Sequence, residues 1–275
     1  MIELKTAGEI DVMREAGRVV ALVHAQVRSH AAAGVSLREL DELARQVMHE
    51  GGAGSSFLGY HPSFGATPYP GVICTSVNEA MLHGLPTGYR LRDGDLLSID
   101  CAAHIDGWHA DAAVSFCVGQ ARHGDSELIQ VAEHMLAAGI TEAVPGARLG
   151  DTGHAMSRIG RAAGYGIQND FAGHGIGRAM HEDPFVPNEG RRGCGLRLRP
   201  GLVIAIEPSL MAPEAETTTG WPTTAGHCAA ATAAGRSTSS TRSPSPTMAR
   251  SSSPFPDCLC GPARRRLRTS HRHPR

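Results

Sequence analysis

Lysine is almost missing from this 275-residue chain: of its 26 basic residues only Lys5 is not arginine. With abundant Ala and Gly, that bias points to a GC-rich coding sequence. There is no large excess of charge of either sign, since 26 basic residues meet 27 acidic ones, so the whole molecule exerts no strong pull on nucleic acid or on an anionic membrane. No apolar run approaches the roughly 20 residues that a membrane span requires. The first residues lack a basic stretch followed by an apolar one, so no secretory signal is expected. The seven cysteines form no C-x-x-C pair. An odd number without a framework fits free thiols in a reducing cytoplasm better than disulfides or a zinc knuckle.

What is present divides in two. Residues 1–212 carry 17 basic and 24 acidic side chains, whereas residues 213–275 carry 9 and 3. In the second stretch only Phe255, Leu259 and Leu267 belong to Leu, Ile, Val or Phe. So little apolar surface cannot offset the entropy of ordering, and a low-complexity, disordered basic tail is expected there.

The first stretch reads as alternating helices and strands. Thr6 to Glu9 is a capping-box pattern that opens a helix reaching about residue 33, with Gly34 as its stop. Ser36 to Glu39 repeats the pattern for a second helix ending near Glu50. A short strand is expected over 72–78. Two longer ones, 95–104 and 108–118, flank Asp106-Gly107, a pair suited to the positive φ angles of a type I′ turn. Helices are expected over 125–138 and 149–163, the latter capped near Gly150-Asp151. A buried strand runs over 201–207 and stops at Pro208. Two helices followed by strands thus occur twice in outline.

Four groups could carry chemistry. If Asp106-Gly107 is a two-residue loop, Asp100 faces Ala113 and Asp111 faces Ala102. The two aspartates then become diagonal neighbours on one face, about 7–8 Å apart. Two carboxylates in apolar surroundings raise each other's pKa unless a cation lies between them. They could equally be unrelated, one exposed near the turn and one capping a loop. Gly173-His174-Gly-Ile-Gly-Arg-Ala-Met-His181 sets two histidines in a glycine-rich turn at a spacing that does not suit a helical zinc pair, so they take different roles. Glu207 ends an apolar strand where an unpaired carboxylate is costly. It is either salt-bridged to Arg191, Arg192, Arg197 or Arg199, or a metal ligand that also takes a proton. His83 lies on a loop before a Gly-x-Pro turn and, taken alone, reads as a surface histidine.

Together, Asn78-Glu-x3-His83-Gly, Ile99-Asp100 with Asp111 across the turn, Gly173-His174-Gly-Ile-Gly-Arg-x2-His181-Glu-x-Pro184 and Ile206-Glu207-Pro208 resemble the type I methionine aminopeptidases over about residues 1–212. The resemblance implies the pita-bread α/β fold, two pseudo-symmetric halves around a curved antiparallel sheet, with two divalent ions of Co, Mn, Fe or Zn. Asp100 would bind one ion, Asp111 would bridge both, and His174 and Glu207 would bind the other, with Glu207 moving the proton. His83 and His181 would contact the substrate. Tyr69 and Cys74 match the wall of the methionine pocket, and Met180 stands where the family often has Phe. The activity implied is removal of the initiator methionine from nascent chains, near the ribosome, by a cytoplasmic monomer with no membrane or specific nucleic-acid partner. Two alternatives are an Xaa-Pro peptidase of the same fold, and a non-catalytic homologue whose basic tail contacts RNA or ribosomes.

The resemblance fails at one place. The family has a further glutamate ligand, in a strand reading roughly Glu-His-Thr, beyond the position of Glu207. Here the only acid after Glu216 is Asp257. A one-nucleotide shift of a synonymous coding of residues 239–250 reads Val-Glu-His-Thr-Val-Ala-Ile-Thr-Asp-Asp-Gly-Pro. The same shift of residues 223–228 reads Asp-Asp-Gly-Trp-Thr-Leu, at the family's spacing. The tail is therefore expected to be a frame-shifted version of the usual C-terminus, with weak occupancy of the second metal site and reduced activity.

Overall fold

In the computed structural model, residues 2–62 and 67–211 are described, together with the backbone of 225–227 and 231–234. Most of the expected tail therefore lies outside the described residues. The chain opens with helix α1 (Ala7–His30) and helix α2 (Leu37–Glu50). Both expected capping boxes form: Thr6 with Glu9, and Ser36 with Glu39. Each satisfies backbone donors that the first turn would leave orphaned. Ile10, Met13, Ala16, Val20, Val23 and Val27 recur every three or four residues along α1 and form its buried stripe.

Strands β1 (Gly54–Ser55), β2 (Ile73–Val77), β3 (Leu96–Ile105) and β4 (Trp108–Cys117) follow and form one antiparallel ladder. Asp106 and Gly107 both take positive φ, 50° and 74°, as the type I′ turn requires. The carboxylate of buried Asp41, on α2, accepts the N–H groups of Val72 and Ile73 at 2.6 and 3.1 Å and so fixes where β2 begins.

The pattern of two helices and then strands recurs with α3 (Asp125–Glu142), α4 (Leu149–Ala162), β5 (Gly166–Ile167), β6 (Gly173–Gly175), β7 (Glu182–Val186), β8 (Val203–Ile206) and β9 (Ser209–Met211). Helix α3 continues one turn beyond its expected end, because Ala138–Glu142 offers no breaker other than Gly139, whose small size lets Met156 of α4 pack against it. The cap of α4 is Arg148, not Gly150-Asp151. Asp151 sits one turn in and accepts the Arg148 N–H at 2.8 Å.

Two short strands fall inside the stretch expected to be a tail. Strand β10 (Ala225–His227) pairs with β9, and β11 (Ala231–Ala234) pairs with β8. In place of one continuous sheet, the strands bond as a four-stranded, a three-stranded and a second four-stranded ladder. A bulge between His174 and Gly175 interrupts the register of the last.

Two hydrophobic cores match the two halves. One joins α1 and α2 to β2–β4 through Val23, Leu40, Ile73, Leu97 and Ile99. The other joins α3 and α4 to β8 and β9 through Met135, Leu136, Met156, Ile206 and Leu210. Between the halves, Ile10 and Met13 of α1 pack with Trp108, Ile176 and Val203. No helix among the described residues is long and apolar enough to cross a membrane.

Candidate metal centre

The β3–β4 hairpin has the expected register. Asp100 pairs with Ala113 and Asp111 with Ala102, so both aspartates share one face of the ladder. Cys74, opposite Asp100 on β2, lines the same face. Both carboxylates are buried, Asp111 completely.

The second half brings His174 and Glu207 to that face. Gly173 and Gly175 let β6 approach its neighbours: a Cβ on Gly173 would lie 2.2 Å from the Ala205 carbonyl oxygen, and one on Gly175 would lie 2.0 Å from that of Asp183. His174 Nδ1 lies 2.7 Å from the Gly175 carbonyl oxygen, which turns Nε2 toward the acids. That Nε2 is 3.1 Å from Glu207 Oε1 and 3.8 Å from Asp111 Oδ2. Glu207 thus meets His174, and of the four arginines proposed as its partner Arg192 is paired with Glu142 at 3.2 Å.

The electrostatics follow from this crowding. Burial, then the charges of Asp100 and Glu207, push the Asp111 carboxyl well above its ordinary range, and His174 opposes this only in part. Burial would lower the His174 pKa, but the carboxylates of Asp111 and Glu207 outweigh it and raise the value to about 10. Imidazolium at His174 is therefore the local counter-charge. Both Asp111 oxygens are buried without a hydrogen-bond donor. Three buried carboxylates and one imidazole, with the Asp111 oxygens lacking a donor, are a hard-to-borderline donor set that suits a divalent cation. Among the described residues no three of these side chains stand in a finished coordination shell, since His174 leans on Glu207.

His181 lies beside this cluster, its ring 4.7 Å from that of His174. Its Nδ1 is 2.7 Å from the Tyr60 hydroxyl and its Nε2 is buried without a partner. Burial, then the charges of His174, His83 and His109, lower its pKa to about 2. His83 sits at φ 54°, with its ring 6.0 Å from Phe171. Its loop is held by Gly84, whose carbonyl accepts the Tyr69 hydroxyl at 2.9 Å and the Thr75 N–H at 2.7 Å.

Phe57, Cys74, Ala102 and Met180 form a small buried apolar cluster, with Tyr60 and Tyr69 packed against it. Ala102 faces Asp111 across the hairpin, so this apolar wall adjoins the acidic cluster. Sequence reasoning named Cys74, Tyr69 and Met180 but missed Phe57 and Tyr60. The loop that carries them has no periodicity to mark it as buried, and only its aromatic content could have drawn attention.

Residues 11–237 match metallopeptidase family M24. Methionine aminopeptidase 1 of Mycobacterium tuberculosis is 46% identical over 217 residues, which is 76% of this chain and 79% of that protein. The chain belongs to the methionine aminopeptidases of metallopeptidase family M24. Methionine aminopeptidase 1 of Bacillus subtilis is 41% identical over 77% of this chain and 83% of its own length. Among solved structures, the methionine aminopeptidase of Thermotoga maritima superposes with a TM-score of 0.74 at 32% identity, covering 84% of this chain and 94% of its own. A Pyrococcus horikoshii prolidase superposes at 0.68 but at 21% identity, a likeness of fold alone. The mixed α/β architecture is thus that of the M24 methionine aminopeptidases.

Proposed function

We propose that this methionine aminopeptidase hydrolyses the first peptide bond of nascent chains that begin with methionine, with Asp100, Asp111, His174 and Glu207 holding divalent metal. The observation that carries this is the apolar wall of Phe57, Cys74, Ala102 and Met180 beside three buried carboxylates and an imidazole. The wall suits an unbranched thioether, and Met180 offers a soft surface of its own. Metal bound there would supply a Lewis acid and a water acidified toward neutral pH.

The chain's own groups divide the remaining work. Glu207, buried at the end of β8, is placed to take the water's proton and later deliver it to the leaving amine. Tyr60, kept protonated by burial, donates to His181 Nδ1, which leaves the proton of neutral His181 on Nε2. That N–H is the donor for charge developing on the scissile carbonyl oxygen. His83, near enough for its charge to act on His181, would orient the substrate. The ligand set suits Co, Mn, Fe or Zn in up to two sites. The second site is held weakly here, because the acid that would complete it is absent after Glu216, Asp257 apart.

The test is a peptide panel with added Mn²⁺, Co²⁺, Fe²⁺ or Zn²⁺. Cleavage of Met-Ala-Ser with no cleavage of Xaa-Pro peptides is the expected result. Preference for Xaa-Pro, or equal hydrolysis by Glu207→Gln, would overturn the assignment.

A further inference from the structure

We propose that Lys5, the chain's only lysine, is a positioning residue for His181, acting through an ion pair with Glu182. This rests on the reading above that His181 contacts substrate. The Lys5 ammonium pairs with Glu182 Oε2, and the two side chains are 1% and 16% exposed. The other oxygen of Glu182 accepts the Ala179 N–H at 3.1 Å. One carboxylate therefore grips both the N-terminal segment and the turn that ends at His181.

The surroundings leave the turn little freedom. A Cβ on Gly177 would lie 2.3 Å from Lys5 Cε and 2.7 Å from Glu182 Oε1, so the turn backbone rests directly on the ion pair. Lys5 itself is anchored by its N–H to the Gly201 carbonyl at 2.7 Å. On the far side, the Arg178 guanidinium lies 4.1 Å over the Trp108 ring and donates to the Asp106 carbonyl at 2.7 Å. The Gly177 carbonyl accepts the His109 N–H at 2.9 Å. Removing the Lys5 charge leaves the mostly buried carboxylate of Glu182 without its counter-charge, and its fuller rehydration pulls on the turn that it holds through Ala179. His181, one residue earlier, then loses its place beside Tyr60 and His174. A displacement of about 1 Å at such a group costs roughly 10²-fold in rate.

The experiment compares Lys5→Met, Glu182→Gln and the double substitution. The double is neutral and keeps an acceptor for Ala179. Lys5→Met is expected to lower kcat for Met-Ala-Ser about 10- to 100-fold with KM and metal content little changed, and the double to recover most of the loss. A Lys5→Met enzyme within twofold of the parent kcat, or a folded double no better than Lys5→Met, would overturn the proposal. A second readout needs no turnover. With a single lysine, amine-directed labelling reports Lys5 once fragment-ion mapping separates it from the α-amino group, and mapped diethyl pyrocarbonate labelling reports His181. Glu182→Gln should speed labelling at both positions. Faster labelling at Lys5 with no change at His181 would overturn the coupling, even if Lys5→Met does not fold. If the parent cleaves no Met peptide while labelling behaves as expected, the functional reading fails and the coupling stands.

Discussion

His174 Nε2 lies 3.1 Å from Glu207 Oε1, a contact between β6 and the end of β8 that sets an imidazole against a buried acid. In the absence of metal the imidazolium occupies the electrostatic position that a divalent ion would take over.

Metal-free protein should therefore lose stability as pH rises. The folded His174 pKa of about 10 exceeds its unfolded value near 6.5, and Asp111 is raised as well. Both groups hold protons more tightly in the folded state, so their contribution is complete below their unfolded pKa values and is lost as pH climbs through the folded ones. For His174 that window is from 6.5 to about 10. Chelator-treated protein should show a falling Tm across this range, and His174→Gln should flatten the slope. Metal uptake at pH 8 should release a proton, detectable in buffers of different ionisation enthalpy.

Asp111→Asn separates stability from metal binding. It removes a buried acid whose ionisation burial, Asp100 and Glu207 all oppose, so above the carboxyl's unfolded pKa the metal-free variant should melt above the metal-free parent. It should also lose the gain that metal gives the parent, about 2.7 kcal/mol at a concentration 100-fold above Kd. Thermal scans with and without Mn²⁺ read both. A variant that still gains the parent's increment would remove Asp111 from the ligand set.

Phe57→Ala enlarges the apolar wall beside Ala102. Selectivity for Met over smaller first residues should fall about 10-fold, within the roughly 1–3 kcal/mol that one pocket contact contributes. The ratio of kcat/KM for Met-Ala-Ser and Ala-Ala-Ser measures it, and an unchanged ratio would place the side-chain pocket elsewhere.

The C-terminal reading predicts a difference in metal stoichiometry. This chain should bind about one tight divalent ion, whereas a version with the frame restored between residues 211 and 223 should bind about two and turn over faster. Metal analysis after gel filtration checks it. Two tight ions in the unaltered chain would show that the Glu-His-Thr strand is dispensable. An indel-free coding sequence shared by relatives with the same tail would refute the frameshift.

Much of this was legible because it is local. The capping boxes at Thr6 and Ser36, and the two-residue turn at Asp106-Gly107, fix their geometry within four residues. The turn alone sets which face Asp100 and Asp111 share. Their convergence with His174 and Glu207 is not local, and only the order of the motifs pointed to it. The support under His181 escaped notice for the same reason, since Lys5 and Glu182 lie 177 positions apart. Phe57 and Tyr60 were missed because burial of an irregular loop is decided by what packs over it. The β6–β7 pairing, with its bulge after His174, has too few residues to show an alternating pattern.

The tight turn at Asp106-Gly107 also limits how this enzyme can vary. Side chains on β4 alternate sides, so a one-residue slip in its pairing with β3 would send the Asp111 carboxylate to the opposite surface of the sheet, among the packed helices, while Asp100 stayed put. Length changes at that tip are compatible with catalysis only where the extra or missing residue is absorbed within the loop and that pairing is kept, which an insertion library could read out directly.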